Sequence, residues 1–269
     1  MTYRHLKAVI VDWAGTTVDF GSLAPVAALQ RVFEENGVPV TPAEVREHMG
    51  TLKKDQIRSM LAGDRLARAW QDRHGAAPAE ADVERIFTEF LPRQTEILAE
   101  FSAPIPGAVD AVSSWRNAGL RIGSTTGYTR ELLEVVMAAA APQGYAPDAS
   151  VTPDEAGGGR PMPFMCYRNA ILLGVFPLWN CVKIGDTLSD IAEGQNAGMW
   201  TIGITATGNE IGLSLADWQA LPAETQATKQ QEAARRLSAA GAHYTAPSVA
   251  DCAPLLEEIE RRIAAGEKP

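Results

Sequence analysis

Short apolar runs alternate with helical patterns over most of the chain, and each run ends in polar or glycine-rich residues. Four runs are clear: AVIVD at 8–12, LRIGSTTG at 120–127, CVKIGDT at 181–187 and MWTIGIT at 199–205. Such runs are typical of parallel strands that are buried on both faces. Alternation of strand and helix predicts an α/β fold with a doubly wound, mostly parallel sheet. GAHYTA at 241–246 is a possible edge strand.

The segment from 22 to 103 interrupts this alternation. It contains successive helical patterns with no apolar strand between them. An insertion of this kind directly after the first strand predicts an all-helical second domain, a cap, over the carboxyl edge of the sheet. We therefore expect a Rossmann-like catalytic core of residues 1–21 and 104–269, a cap of residues 22–103, and a return hinge at 102–108.

Composition narrows the class of protein. With 269 residues, 46% of them hydrophobic, the chain can bury a full core. A net charge of −9 without a Lys/Arg block argues against a nucleic-acid partner. No apolar run reaches the ~18 residues of a membrane helix, no secretory signal is evident, and three scattered cysteines argue against a disulfide framework. We therefore expect a cytoplasmic enzyme with a small-molecule substrate and no membrane partner.

Acidic residues follow two of the predicted strands. Asp12 comes directly after AVIV, Asp186 follows VKIG, and Asp190 lies four residues further along the next helix. The carboxyl ends of parallel strands meet at the edge where such sheets bind ligands. Carboxylates so close repel one another unless a cation joins them, and hard oxygen ligands suit Mg²⁺. Alternatively, Asp12 opens a turn and the second pair only starts a helix.

Two further segments offer groups that can bind phosphate. STTGYT ends a strand with the Thr126 hydroxyl and the flexible Gly127, which suit phosphate oxygens together with backbone N–H groups. GGGRPMP holds Arg160 between glycines and prolines, and a guanidinium can bind phosphate through two hydrogen bonds. The alternatives are a strand-to-helix turn capped by Thr129 and an arginine in an exposed loop.

The predicted cap contains a candidate nucleophilic amine in HMGTLKKDQIRSML. At about 100° per residue, Lys53 lies in the middle of an apolar helix face, whereas Lys54 lies on the polar side beside Arg58. The apolar face consists of Leu52, Ile57, Met60 and Leu61. A desolvated ammonium has a lowered pKa and is available as a nucleophile. The alternative is a lysine at the rim of the helix with its charged end in solvent.

In their order along the chain, DWAGTT, STTG, the Arg160 loop and GDTLSD resemble the four motifs of the haloacid dehalogenase superfamily. The resemblance implies that Asp12 attacks phosphorus, that Thr126 and a basic residue hold the phosphoryl group, and that the last acids hold Mg²⁺. It extends from the first strand to about residue 190 and includes a helical cap where members carry one. We expect Asp12 and Asp186 to be direct ligands, with Asp190 supporting them.

Ala14 departs from this resemblance, because many members have an acid there that protonates the leaving group. We expect its carbonyl to be the third protein ligand of the metal. A carbon leaving group needs an electron sink rather than a proton donor, and an iminium formed by a lysine amine provides one. Ala14 and Lys53 together therefore favour cleavage of a bond between carbon and phosphorus.

MGTLKKD, joined to DWAGTTVDFGS and STTGYT, resembles the phosphonatase branch of this superfamily. The resemblance implies a Schiff base on Lys53, with Met49 and Tyr128 near the reacting centre, and a homodimer formed through the caps. Gln56 departs from the histidine expected in some relatives and cannot carry a proton in its place.

The reaction implied is hydrolysis of the C–P bond of phosphonoacetaldehyde, a product of 2-aminoethylphosphonate breakdown, to acetaldehyde and phosphate. It would proceed through an imine on Lys53 and an aspartyl phosphate on Asp12. The alternatives are a Mg²⁺-dependent phosphomonoesterase of the same superfamily and a sensor that binds phosphate compounds without turnover.

Overall fold

A single parallel sheet forms the centre of the protein in the computed structural model, which describes residues 2–269. The sheet has six strands in the order β3-β2-β1-β4-β5-β6. They are β1 (Ala8–Val11), β2 (Arg121–Thr125), β3 (Ala149–Val151), β4 (Cys181–Gly185), β5 (Trp200–Ile204) and β6 (Tyr244–Ala246). The predicted α/β fold class is confirmed. Since β1 lies between β2 and β4, the strand order reverses there, and the residues after these three strands share one edge.

Helices cover both faces of the sheet. Successive residues of β1 point to opposite sides, and the residues on both sides are apolar. Val9 and Val11 belong to the large core cluster, whereas Ala8 and Ile10 pack with Cys166 in a second cluster. The helices of this part of the chain are α6 (Ala108–Asn117), α7 (Arg130–Ala140), α8 (Pro153–Ala156), α9 (Phe164–Leu173), α10 (Leu188–Asn196), α11 (Leu215–Ala220), α12 (Ala223–Ala239) and α13 (Ala253–Ala264). The doubly wound arrangement follows from this two-sided burial.

The chain between β1 and α6 is helical, as its pattern predicts. Its helices are α1 (Ala24–Glu35), α2 (Pro42–Arg46), α3 (Lys53–Ala62), α4 (Asp64–His74) and α5 (Glu80–Leu98). Its two connections to the sheet run side by side: Val18 pairs with Pro104, and the Asp19 N–H donates to the Ala103 carbonyl at 3.3 Å. The division into core and cap stays a prediction, and we keep the name cap for residues 22–103.

The hydrophobic pattern does not predict β3, because a strand of three residues that includes the polar Ser150 is too short to give a periodic signal. The other strands are shorter than their predicted runs, because residues at one or both ends of each run lie outside the sheet. Within residues 2–269, none of the helices combines the length and the apolar character needed to cross a bilayer.

Candidate active site

Three carboxylates meet at the edge of the sheet where β1 and β4 end. Asp12 directly follows β1, Asp186 directly follows β4, and Asp190 lies in the first turn of α10. An oxygen from each lies within 4.8 Å of the others, and all three residues are buried. The ends of β1 and β4 thus bring these acids together in a cluster that can hold a metal ion.

Asp186 is held at both of its oxygens. The Thr16 hydroxyl donates to Oδ1 at 2.8 Å, and the backbone N–H of Asn209 donates to Oδ2 at 2.7 Å. Gly15 has a φ of +82°, and a Cβ at this position would overlap the Asp186 carboxylate. The glycine in DWAGTT is thus required both for the turn after β1 and for the approach of Asp186.

Arg160 is not an exposed loop arginine, because only 4% of the residue is accessible to solvent. Its Nη2 lies 2.7 Å from Oδ1 of Asp12 and 3.0 Å from Oδ1 of Asp190. Its Nε donates to Oε2 of Glu193 at 3.0 Å. The guanidinium thus touches Asp12 while two other acids fix its plane, which leaves it beside the point where a phosphoryl group would meet Asp12.

Lys183 and Glu193 complete this network, and none of the sequence motifs indicates their role. Lys183 Nζ lies 2.7 Å from Oδ1 of Asp190 and 3.4 Å from Oε2 of Glu193, and it donates to Thr125 at 2.9 Å. The available signal was a lysine inside an apolar strand, followed by two acids three residues apart on one face of the next helix.

Burial and neighbouring charges shift the pKa values of the three carboxyl groups in different directions. Burial raises the pKa of Asp12 and, together with the charge of Asp12, raises that of Asp186 well above its usual range. Burial acts in the same direction on Asp190, but the charges of Arg160 and Lys183 keep the pKa of that carboxyl below its usual range. A divalent cation between Asp12 and Asp186 would relieve their repulsion, so the donor set fits a metal ion with oxygen ligands.

Thr126, Gly127 and Tyr128 follow β2 at the same edge. The Thr126 hydroxyl accepts the Tyr128 N–H at 3.1 Å, and burial raises the pKa of Tyr128 well above its ordinary value. Thr129 precedes α7 without making a side-chain capping hydrogen bond. A capped strand-to-helix turn therefore does not explain this motif.

Lys53 is the first residue of α3, and 4% of it is exposed. Its Nζ donates to Oε1 of Gln56 at 2.7 Å and lies 3.7 Å from the Met49 sulfur. Burial lowers the pKa of Lys53 to about 8, although the negative charge of Asp12 acts in the opposite direction. The Lys54 side chain is 41% exposed and pairs with Glu84 at 2.7 Å. The two lysines thus differ as the helical wheel predicts.

A small cavity joins the cap to the edge of the sheet. Predicted site residues in its wall are Asp12, Ala14, Met49, Lys53, Thr126, Gly127, Tyr128 and Arg160. Its volume is about 20 Å³, which is room for about one water molecule. A larger cavity of about 440 Å³ adjoins it and shares Lys53, Gly127 and Tyr128. The smaller cavity is therefore too small for a phosphonate, and the larger cavity leads to the amine.

Comparisons with known proteins agree with this arrangement. Residues 6–198 match the family described as haloacid dehalogenase-like hydrolase. The chain is 44% identical over 264 residues to phosphonoacetaldehyde hydrolase of Nitratidesulfovibrio vulgaris, covering 98% of this chain and 94% of the relative. It belongs to the phosphonoacetaldehyde hydrolase family.

Two further matches extend the comparison. The crystal structure of a phosphonoacetaldehyde hydrolase-like protein from Oleispira antarctica matches with a TM-score of 0.97 and 43% identity, covering 100% of this chain and 98% of that one. A bifunctional phosphonoacetaldehyde hydrolase/aminoethylphosphonate transaminase of Clostridioides difficile is 44% identical over 257 residues, which are 96% of this chain and 40% of that protein. The match to this family thus extends over nearly the whole chain, residues 22–103 included.

Proposed function

We propose that this protein hydrolyses the C–P bond of phosphonoacetaldehyde to acetaldehyde and phosphate. The observation that carries the proposal is the buried amine of Lys53, which shares one cavity with the Asp12 carboxylate and with Ala14. An amine nucleophile, a carboxylate nucleophile and the absence of an acid at position 14 suit a carbon leaving group better than an oxygen one. The names of the relatives support the same substrate.

The first step is condensation of Lys53 with the aldehyde. The uncharged Nζ attacks the carbonyl carbon, and loss of water and uptake of a proton give an iminium. Gln56 and Met49 contact Nζ as neutral acceptors, so neither stabilises the ammonium as a carboxylate would. The low pKa of Lys53 keeps a usable fraction of the amine uncharged near neutral pH.

The second step is phosphoryl transfer to Asp12. A carboxylate oxygen attacks phosphorus, the C–P bond breaks, and its electron pair moves into the iminium to give an enamine. Arg160, Thr126 and the backbone at Gly127 compensate the charge on the phosphoryl oxygens. Water then releases phosphate from Asp12, and protonation of the enamine followed by hydrolysis releases acetaldehyde and the free amine.

The metal in this proposal is Mg²⁺, held by Asp12, Asp186 and the carbonyl of Ala14. Asp190 supports the site through its contacts with Lys183 and Arg160. When bound, the ion offsets negative charge as the dianionic phosphoryl group approaches the nucleophile.

The direct test is a product assay. The full-length protein is incubated with Mg²⁺ and phosphonoacetaldehyde, and acetaldehyde and phosphate are measured separately. Equal amounts of the two products are expected. Phosphate without acetaldehyde would refute the reaction, and the absence of both would favour a sensor that binds phosphate compounds. Fusion of a relative to an aminoethylphosphonate transaminase supports a transamination as the source of the aldehyde.

The rate of imine formation should follow the ionisation of Lys53. We expect kcat/KM to rise with pH and to level off above about 8, because the pKa of Lys53 is about 8 and only the uncharged amine attacks. Below that pH the uncharged fraction falls about tenfold per unit. Trapping by borohydride should have the same pH dependence. An acidic limb that continues to the ordinary lysine range, near pH 10, would contradict the assigned environment.

Ala14 distinguishes the proposal from a phosphomonoesterase. Simple alkyl phosphates should be hydrolysed about 10²–10⁴-fold more slowly than phosphonoacetaldehyde, because their alkoxide leaving groups need a general acid. Initial rates of phosphate release measure the difference. Ala14→Asp is the matched variant and should gain alkyl phosphate hydrolysis. Rapid turnover of alkyl phosphates by the unaltered protein would make the phosphomonoesterase the better assignment.

The proposal also includes a partner and a location. A homodimer formed through the caps stays a prediction. Large apolar side chains with substantial exposure lie between residues 162 and 188, outside the cap helices, and include Phe164, Tyr167, Ile171 and Phe176. Exposed apolar surface therefore favours contact through α9 over contact through the caps. A cytoplasmic location is supported by three buried cysteines that form no disulfide within residues 2–269.

A further inference from the structure

Arg46, at the end of α2 in the cap, makes hydrogen bonds to two segments outside the cap helices. Its Nη1 lies 2.9 Å from the carbonyl oxygen of Gly21, in the connection from β1 to α1. The same nitrogen lies 3.2 Å from Oδ1 of Asn209, in the loop after β5, and Nη2 donates to the carbonyl of Gly212 at 3.4 Å. One half-buried guanidinium thus joins the cap, the connection from β1 to α1 and the loop after β5.

The loop after β5 leaves room for this side chain. Gly212 has a φ of +66°, and a Cβ there would overlap the guanidinium of Arg46. Asn209 completes the contact by donating from Nδ2 to the Arg46 carbonyl at 3.3 Å. A lysine could not make these contacts together, because its ammonium is a single point charge rather than a planar fork.

The same loop holds Asp186. The backbone N–H of Asn209 donates to Oδ2 of Asp186 at 2.7 Å, and a Cβ on the preceding Gly208 would overlap the Asp186 carboxylate. The other oxygen is held by Thr16, which belongs to a different segment. Displacement of the 208–209 backbone would therefore remove one of the two hydrogen bonds that orient this carboxylate.

We propose that Arg46 is a positioning residue that couples closure of the cap to the metal site through Asn209. The inference rests on the Mg²⁺ site of the proposed function. When the cap is seated, Arg46 fixes the Asn209 loop, and Asp186 is oriented toward the ion. Coupling between two equilibria is reciprocal, so bound Mg²⁺ must stabilise the seated cap by the same free energy.

Titration calorimetry of Mg²⁺ into the full-length protein tests the coupling without substrate. Arg46→Gln should weaken Mg²⁺ binding about 5- to 150-fold. Asn209→Ala keeps its backbone N–H but loses the side-chain contacts, and it should weaken binding similarly. The double variant should be little worse than either single variant, since both remove one interaction. Arg65→Gln is the control, because Arg65 pairs with Glu44 inside the cap and should not affect binding.

The direction of the change in Mg²⁺ affinity distinguishes a positioning role of Arg46 from an effect of its charge. Asp186 is among the acids that interact with the Arg46 charge, so loss of this charge alone would tighten Mg²⁺ binding. Arg46→Lys keeps the charge and should still weaken binding. Small-angle scattering gives a second readout: Mg²⁺ should make the unaltered protein more compact, and Arg46→Gln less so.

Three results would overturn the proposal. They are unaltered or tighter Mg²⁺ binding in folded Arg46→Gln, unaltered binding in Asn209→Ala, and additive effects in the double variant. If Arg46→Gln does not fold, Arg46→Lys and Asn209→Ala carry the same test. Failure of the unaltered protein to bind Mg²⁺ would refute the metal part of the proposed function as well, whereas unaltered affinity in the variants refutes this inference alone.

Discussion

Lys53→Arg should abolish both turnover and trapping by borohydride. Arginine keeps the positive charge but stays protonated, so it cannot condense with an aldehyde. Loss of a covalent nucleophile costs on the order of 10⁴-fold or more in rate. The measurements are phosphate release and mass spectrometry of peptides after borohydride addition in the presence of phosphonoacetaldehyde. The unaltered protein should carry an adduct on the peptide that contains Lys53.

Lys54→Arg is the matched control for this variant. Lys54 is adjacent in the chain, but its side chain is partly exposed and its partner is Glu84. Arginine can replace this surface ion pair, which contributes little to stability in any case. Turnover should stay within about twofold, because Lys54 takes no part in the proposed steps and arginine keeps its positive charge. An adduct on Lys54, or an active Lys53→Arg variant, would show that the imine is assigned to the wrong residue.

Lys53→Met separates loss of the amine from distortion of the buried site. Methionine has nearly the length of lysine and suits the apolar face that contains Ile57 and Met60. Thermal unfolding should show that this variant is folded, and it should be as inactive as Lys53→Arg. Activity in Lys53→Met would exclude a Schiff base on Lys53.

The residues that could be predicted are those whose position depends on local periodicity. A 3.6-residue repeat places Lys53 among apolar side chains, and burial of Ile57, Met60 and Leu61 on the same face follows from that repeat. Asp12 and Asp186 follow apolar strands, and strand ends in a parallel sheet meet at one edge. In both cases a few neighbouring residues contain the information.

The residues that could not be predicted depend on contacts between distant segments. Lys183 is buried because Asp190 and Glu193 face it from α10. The sequence indicates Arg160 as a phosphate ligand, but it does not show that this arginine also pairs with those two acids. Arg46 depends on how the cap docks against the loop after β5. A charged residue in a helix or strand does not by itself identify such partners, since most charges of this kind are solvated.

Asp12→Ala should stop the reaction one step later than Lys53→Arg does. Phosphate release should fall on the order of 10⁴-fold or more, because no other carboxylate replaces the nucleophile. Imine formation does not use Asp12, so borohydride should still trap an adduct on Lys53. Without C–P cleavage this adduct must retain the phosphonate, whereas cleavage leaves a two-carbon adduct without phosphorus. The two differ in mass by one phosphoryl group.

The substitution should leave the site folded. Arg160 loses its contact with Asp12 but keeps Asp190 and Glu193 as partners, so no buried charge is left unpaired. Asp12→Ala combined with Lys53→Arg is the control and should give no adduct. Normal phosphate release by Asp12→Ala would exclude an aspartyl phosphate. A phosphorus-free adduct in that variant would show that the C–P bond breaks without Asp12, and the order of steps proposed for this site would then be wrong.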